Sequence, residues 1–343
     1  MTIHAAGPPV PPALIDPSGV WFFNWVIPLL GGLVIVLAIA DTIRRQRLTW
    51  GLLFIVNSML VYWMETIGDW GQQLVYSPAF TEHHLLDWLP IKTPNDPLFM
   101  PFAYACYWAV HAFIVLRIGQ FLVRRFGWSL LRAVAVLAIP VNYAWDFLVE
   151  SLAAAMGWWV YDPGFGPHVE FGNGGKFTVL WTIGLMSFWP NLIAYWAGKP
   201  PVRALNHFER FFGLERFTAP RPRPDASGAP DAPDAPDAPD APDAPDAPDP
   251  PRPEPGTSPV PGGSTGTAVI VRPSQQRADR QQLDRRAEYD DRLDYEVTIP
   301  RWKFELARFG AWFVVFQVTF FVMLVIPLVA MRASTGHDSI YVP

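Results

Sequence analysis

Charge is what this chain has least of. Charged residues make up 17% of the 343, against 51% hydrophobic and 15% aromatic, where a soluble domain carries about a quarter charged. Net charge is −5 and the sequence pI is about 5.8. No basic excess is available to neutralise phosphates, which excludes nucleic acid as a partner. The single cysteine, Cys106, excludes a disulfide framework and any multi-thiolate metal site. A Gly-rich phosphate loop on a strand–turn–helix, a Walker motif and a Gly-x-Ser-x-Gly elbow are all missing, and nucleotide binding goes with them. The histidines form neither His-Glu-x-x-His nor His-x-x-x-His. His83 and His84 with Asp87, and His168 with Glu170, sit in two polar loops. An adjacent His pair cannot aim both rings at one ion from a regular helix, so no metal is expected.

Long apolar runs are what the chain does have. A bilayer core needs about 20 apolar residues in helix. Residues 20–40, 48–64, 99–116, 133–161, 177–197 and 309–331 each approach or exceed that length. The expected fold is an all-α polytopic membrane bundle of about six transmembrane helices. Basic residues give its orientation, because Lys and Arg stay on the cytoplasmic side. Reading the loops alternately, one side collects 14 of them, from Arg44 to Arg308, and the other has Lys92, Lys176 and Arg332. The N-terminus is therefore expected outside the membrane and the long linker on the cytoplasmic side.

Most of the negative charge lies in one place: residues 218–298 hold 16 acidic and 9 basic residues. There Ala-Pro-Asp runs seven times between Ala229 and Asp249. Proline every third residue favours polyproline II, and the spaced Asp charges extend it. The expected organisation is an outer N-terminal tail (1–19), a five-helix membrane domain (20–217), a disordered cytoplasmic linker (218–298), and a last transmembrane helix with its tail (299–343).

Ionisable side chains within membrane helices are costly and mark function. Glu65 and Asp69, four apart, share one helical face at the end of the second run. Asn142, Asp146 and Glu150 form a second stripe in steps of four on an otherwise apolar helix. Both pairs fall in the outer half of the bilayer, and no Lys or Arg lies at matching depth. A carboxyl buried beside another can hold a proton and act as general acid, with a more solvated partner as base. His111, mid-run, shares a face with Tyr104, Tyr107 and Trp108. It is either a hydrogen-bonded structural histidine or a proton shuttle. Candidate catalytic residues are thus Asp146, Glu150, Glu65, Asp69 and His111. Candidate substrate-binding residues are Asn142, Tyr143, Trp145, Tyr104, Trp108 and Asn57. Asn57 and Asn191 also fit as interhelical glue. Trp63, Trp70, Trp88, Trp145, Trp158 and Trp159 fit an interfacial belt, Trp145 also a pocket wall. Pro140 is expected to kink its helix just before the Asn142 stripe.

Four strings carry a resemblance: Glu65-Thr66-Ile67-Gly68-Asp69-Trp70, Asp96-Pro97-Leu98-Phe99-Met100-Pro101, Asn142 through Glu150, and Gly157-Trp158-Trp159-Val160-Tyr161-Asp162-Pro163. Together they resemble the AveC-like spirocyclase family of actinobacterial membrane proteins, over residues 20–217 and more loosely the last run. The resemblance implies spiroketal formation or dehydration on a lipophilic polyketide- or isoprenoid-like substrate. Such chemistry needs an acid, a base and no redox cofactor. The repeat-rich linker departs from the family pattern, and no assigned catalytic residues carry over. A proton-coupled transporter and a non-catalytic membrane scaffold remain as alternatives. The first would place acids similarly, but no internal repeat between span triplets is visible.

Overall fold

The computed structural model describes residues 9–163, 166–179, 185–198, 205–220, 295–336 and 338–342. Its helices are α1 (Ile27–Arg45), α2 (Trp50–Leu60), α3 (Tyr62–Gly71), α4 (Met100–Phe126), α5 (Leu130–Leu137), α6 (Ala144–Met156), α7 (Leu185–Gly198), α8 (His207–Phe211), α9 (Arg301–Phe320) and α10 (Ile326–Thr335). Among the described residues, four continuous helical stretches are long and apolar enough to cross a membrane: 22–45, 100–126, 130–156 and 301–335. The pair α2–α3, bent by 47° at Val61, makes a fifth when counted as one span.

Proline shapes these spans. Three π-helical turns, Phe22–Val26, Ala138–Tyr143 and Phe321–Val325, interrupt three of the long stretches. Each lies just before or around a proline: Pro28, Pro140 and Pro327. Proline lacks an N–H and its ring crowds the carbonyl four residues back, so an extra residue in the turn relieves the clash. Elsewhere the helices end on left-handed C-caps, with Gly127 after α4, Gly157 after α6 and Gly336 after α10.

The chain is mostly helical, and among the described residues three short two-stranded antiparallel ribbons accompany the helices, which the all-α expectation did not include. β1 (Leu74–Tyr76) pairs with β2 (Trp159–Tyr161), and β3 (His168–Glu170) with β4 (Lys176–Thr178). β5 (Thr218–Pro220) pairs with β6 (Tyr295–Val297). Consequently the expected helix 133–161 stops at Met156. Gly157 turns the chain with φ +70°, its missing Cβ leaving room for the Ala13 carbonyl, and the next residues enter β2. The expected span 177–197 opens in β4 and closes in α7, with residues 180–184 outside the described set. The Ala-Pro-Asp repeat also lies outside it. What is described of the expected linker is its two ends, which β5 and β6 join side by side. The tail 1–19 is likewise not free throughout: Leu14 is fully buried and its carbonyl accepts from Ser77 Oγ.

α4 lies at the centre, packed on α1, α2, α5 and α7. Aromatic rings fill the space between α4, α7 and α9: Trp189 meets Phe320 at 5.1 Å, Phe316 at 5.4 Å and Trp108 at 5.5 Å. α1 turns most of its apolar side chains outward, including Leu29, Leu33, Val36 and Leu37, as a helix against lipid must.

Small residues let the last span reach the acids of α3. A Cβ on Gly71 would stand 2.9 Å from the backbone of Leu328 and Val329. This is the close helix approach that glycine permits. Arg332 fastens the same contact, donating to the Trp70 carbonyl at 2.7 Å with its guanidinium 3.8 Å above the Trp70 ring. Gly71→Leu is expected to destabilise the protein by about 1–3 kcal/mol through overpacking. Denaturant titration in detergent reads that loss.

Candidate functional site: carboxylates from two spans

Glu65 and Asp69 arise on α3, with Tyr62 and Thr66 on the same face. Asp146 and Glu150 arise on α6. Burial is near complete for Glu65 (6% exposed), Asp69 (1%) and Asp146 (3%), while Glu150 is partly buried. The two pairs converge: Glu65 lies within electrostatic reach of both Asp69 and Glu150, and Glu150 within reach of Asp146.

Two tiers differ in how the carboxylates are held. The outer tier is gripped by the β1–β2 ribbon. Tyr76 OH donates to Asp69 Oδ2 at 2.8 Å, and Gln72 Nε2 donates to Oδ1 at 2.8 Å. From β2, Trp159 Nε1 (2.6 Å) and Tyr161 OH (2.7 Å) both donate to Glu150 Oε2. Register explains the pattern, since Tyr76 pairs with Trp159 across the ribbon and Leu74 with Tyr161. Burial pushes both tyrosine hydroxyls well above their ordinary range, and the neighbouring carboxylates push them further. They therefore remain donors at any working pH.

The inner tier is less tightly held. Asp146 Oδ1 accepts from Tyr107 OH, but Asp146 Oδ2 and Glu65 Oε2 are buried and close no hydrogen bond. Buried carboxylate oxygens are normally satisfied, so these two atoms are the exposed chemistry of the site.

The remaining sequence candidates divide. Tyr104 (3% exposed), Trp108 (2%) and His111 (3%) line the buried face of α4 beside the inner tier. The His111 ring sits 4.4 Å from Tyr107 and 5.4 Å from Trp145, and no carboxylate acts on it. Asn142 is buried, one turn before Asp146. Asn57 is fully buried on α2, its Nδ2 donating back to the Leu53 carbonyl at 2.7 Å. Tyr143 packs its ring on the outward-facing Phe147 and joins none of the acids. Trp145 is 45% exposed, its ring edge reaching inward only to His111.

Sequence reasoning missed Tyr76, Gln72 and Tyr161 as holders of the acids, and assigned Trp159 to the interfacial belt. It also missed a polar knot in the loop 77–98. Thr66 Oγ1 donates to Asp96 Oδ1 at 2.7 Å, Lys92 Nζ stands 2.9 Å from Asp87 and 3.5 Å from Asp96, and Tyr62 OH meets His83 Nε2 at 2.9 Å. The available signal was the Asp96-Pro97 turn beside a threonine on the acid-bearing face. Burial raises the Asp96 carboxyl, only partly offset by Thr66 and Lys92. Lys92 is held above its usual value, the pull of Asp87 and Asp96 outweighing its burial. Among the described residues, no group of three His, Cys, Asp or Glu is placed to share a metal ion.

Burial lowers the His83 imidazole below its ordinary 6.5. Below that pH the unfolded chain binds a proton that the folded chain refuses, so His83 costs stability as pH falls. Asp96 has the opposite sign, since its raised carboxyl loses stability as pH rises from 3.8. Wild type is expected to lose more stability than His83→Phe when pH is lowered from about 7 towards 5.5; thermal unfolding at each pH measures the difference.

No family model, curated protein or solved structure matches this chain.

Proposed function

We propose that this protein is a membrane-embedded acid–base cyclase that needs no cofactor, closing or dehydrating a lipophilic, oxygen-rich substrate in the manner of the spirocyclase family its motifs resemble. One observation carries the reading. Carboxylates from two different spans converge in a buried interior, and one of each pair offers an oxygen that the protein leaves without a partner. We place the chain in a bacterial cytoplasmic membrane with the ribbon end outward, on the asymmetry of Lys and Arg.

The chemistry balances on two carboxyls. Take the proton on Asp146 and the charge on Glu65. Asp146 gives its proton to the ketone oxygen of a dihydroxy ketone as one substrate hydroxyl adds, and Glu65 takes that hydroxyl's proton. The hemiketal hydroxyl then leaves as water with the proton from Glu65, giving an oxocarbenium ion. The second hydroxyl closes on this carbon and passes its proton to Asp146. Spiroketal and one water are released, and both carboxyls return to their starting state. Asp69 and Glu150, gripped by the ribbon and Gln72, border the inner pair on its outer side.

Protein in sealed vesicles, given a heavy-oxygen-labelled ketone with a hydroxyl at each end, tests this. The reading expects label to appear in water and spiroketal to form with or without a pH gradient. Uptake of unchanged ketone that depends on the gradient would instead make the protein a transporter.

A further inference from the structure

Beside the reacting carboxyls, α4 presents a row of polar atoms that the reaction does not use. Tyr104, Trp108 and His111 lie at successive turns of one face, each at least nine-tenths buried. The Tyr104 hydroxyl stands between Glu65 and Trp108 and interacts with both, but neither contact has the geometry of a full hydrogen bond. Trp108 Nε1 and both ring nitrogens of His111 are also buried without a partner. Phenol, indole and imidazole groups are each expensive to bury unpaired, and the neighbouring Trp189 shows the usual solution, its Nε1 donating to Thr319 Oγ1 at 2.8 Å. Single unpaired atoms occur elsewhere in the core, at Ser58 Oγ and Ser151 Oγ among others, but here three such side chains follow one another on one helix face.

We infer that this face is a recognition strip for the oxygen atoms of a ligand lying along α4, with its reacting carbon at Glu65 and Asp146. From residue 104 to residue 111 the helix rises about 10 Å. The ligand class is thus an extended, mainly apolar chain bearing hydroxyl or carbonyl oxygens beyond the reacting centre. Tyr104 and Trp108 donate to those oxygens, and His111 donates or accepts. Aromatic bodies supply the apolar remainder: Tyr107 lies 4.9 Å from Trp108, and Trp189 closes the far side. This strip rests on the same interior as the proposed reaction, but it does not require the reaction to be a cyclisation.

Tyr104→Phe, Trp108→Phe and His111→Phe, each in lipid, test the inference through two readouts. The first is thermal unfolding without ligand. The second is calorimetric binding of a dihydroxy ketone that also carries a hydroxyl on an apolar tail beyond the two ring-forming hydroxyls, compared with the same dihydroxy ketone bearing a plain tail. Wild type is expected to prefer the probe with the hydroxylated tail. Each variant should lose about two- to tenfold of that preference. Tyr104→Phe, which removes one oxygen and leaves the ring packing intact, should unfold at the wild-type temperature or above, since it deletes an unpaired buried group. No preference in wild type, or an unchanged preference in all three variants, overturns the strip. Preferential binding without cyclisation supports the strip and overturns the reaction, so the two proposals fail separately.

Discussion

Glu65→Gln and Asp146→Asn are each expected to slow turnover of the labelled ketone by about 10²- to 10⁴-fold, the usual worth of a positioned acid or base. Folding should survive both changes, for a reason visible in the site. The replaced oxygen of each, Glu65 Oε2 or Asp146 Oδ2, closes no hydrogen bond, so an amide nitrogen there displaces no partner. The Tyr107 bond to Asp146 Oδ1 persists in the asparagine variant. Asp69→Asn behaves differently. Both of its oxygens accept from donors, Gln72 and Tyr76, and an amide nitrogen must face one of them. A stability loss of about 1–3 kcal/mol is expected there, of the size of an unsatisfied buried group. Comparing initial rates and unfolding midpoints across the three variants separates proton transfer from support.

Arg308→Met should weaken the bundle by about 3–5 kcal/mol, because it strands a buried carboxylate. Arg308, on α9, reaches Glu209 Oε1 at 2.8 Å, Glu305 Oε2 at 2.8 Å and the Leu48 carbonyl at 2.9 Å. Glu209 is 1% exposed, accepts also from Trp312 Nε1, and closes a capping box with Asn206 at the start of α8. This knot ties the last span to α8 and to the turn between α1 and α2. The β5–β6 pairing beside it holds the two ends of the acidic segment together, so the span that follows a long excursion of chain still docks in register. Replacing Arg308 and Glu209 together by Met and Gln should recover much of the loss, since the fully buried carboxylate is then gone and only the less buried Glu305 is left without its ion partner. Chemical denaturation of the single and double variants measures both effects.

Where the sequence was informative, the reason was periodicity. A run of apolar residues long enough for a bilayer has few other uses, and the expected runs at 20–40, 99–116 and 309–331 all fall within long helices. The steps of four that join Glu65 to Asp69 and Asp146 to Glu150 are a property of any α-helix, and each pair does share a face. The three π turns each accompany a proline, yet only the disturbance near Pro140 was anticipated. A turn that tightens or widens by one residue leaves no trace in hydropathy.

The ribbon escaped for a different reason. Leu74-Val75-Tyr76 and Trp159-Val160-Tyr161 are three-residue strands far apart in sequence, too short for an alternating pattern to stand out. Of their aromatics only Trp159 stood out in the sequence, as a belt residue, and it is the register that sets Tyr76 against Asp69 and Trp159 and Tyr161 against Glu150. The bend at Val61 was hidden likewise. One hydrophobic run covers both halves, and the packing that turns α3 lies on α10, more than 250 residues later. Long-range pairing brought Tyr76, Trp159 and Tyr161 onto the acids, and no local pattern encodes it.

A density map of the protein in a lipid disc with the spiroketal product bound decides whether carboxyls of two spans serve one substrate. Product oxygens are expected within hydrogen-bonding distance of both Glu65 and Asp146, beneath the β1–β2 ribbon and alongside α4. Product seated elsewhere, or touching the carboxyls of only one span, would contradict a shared site.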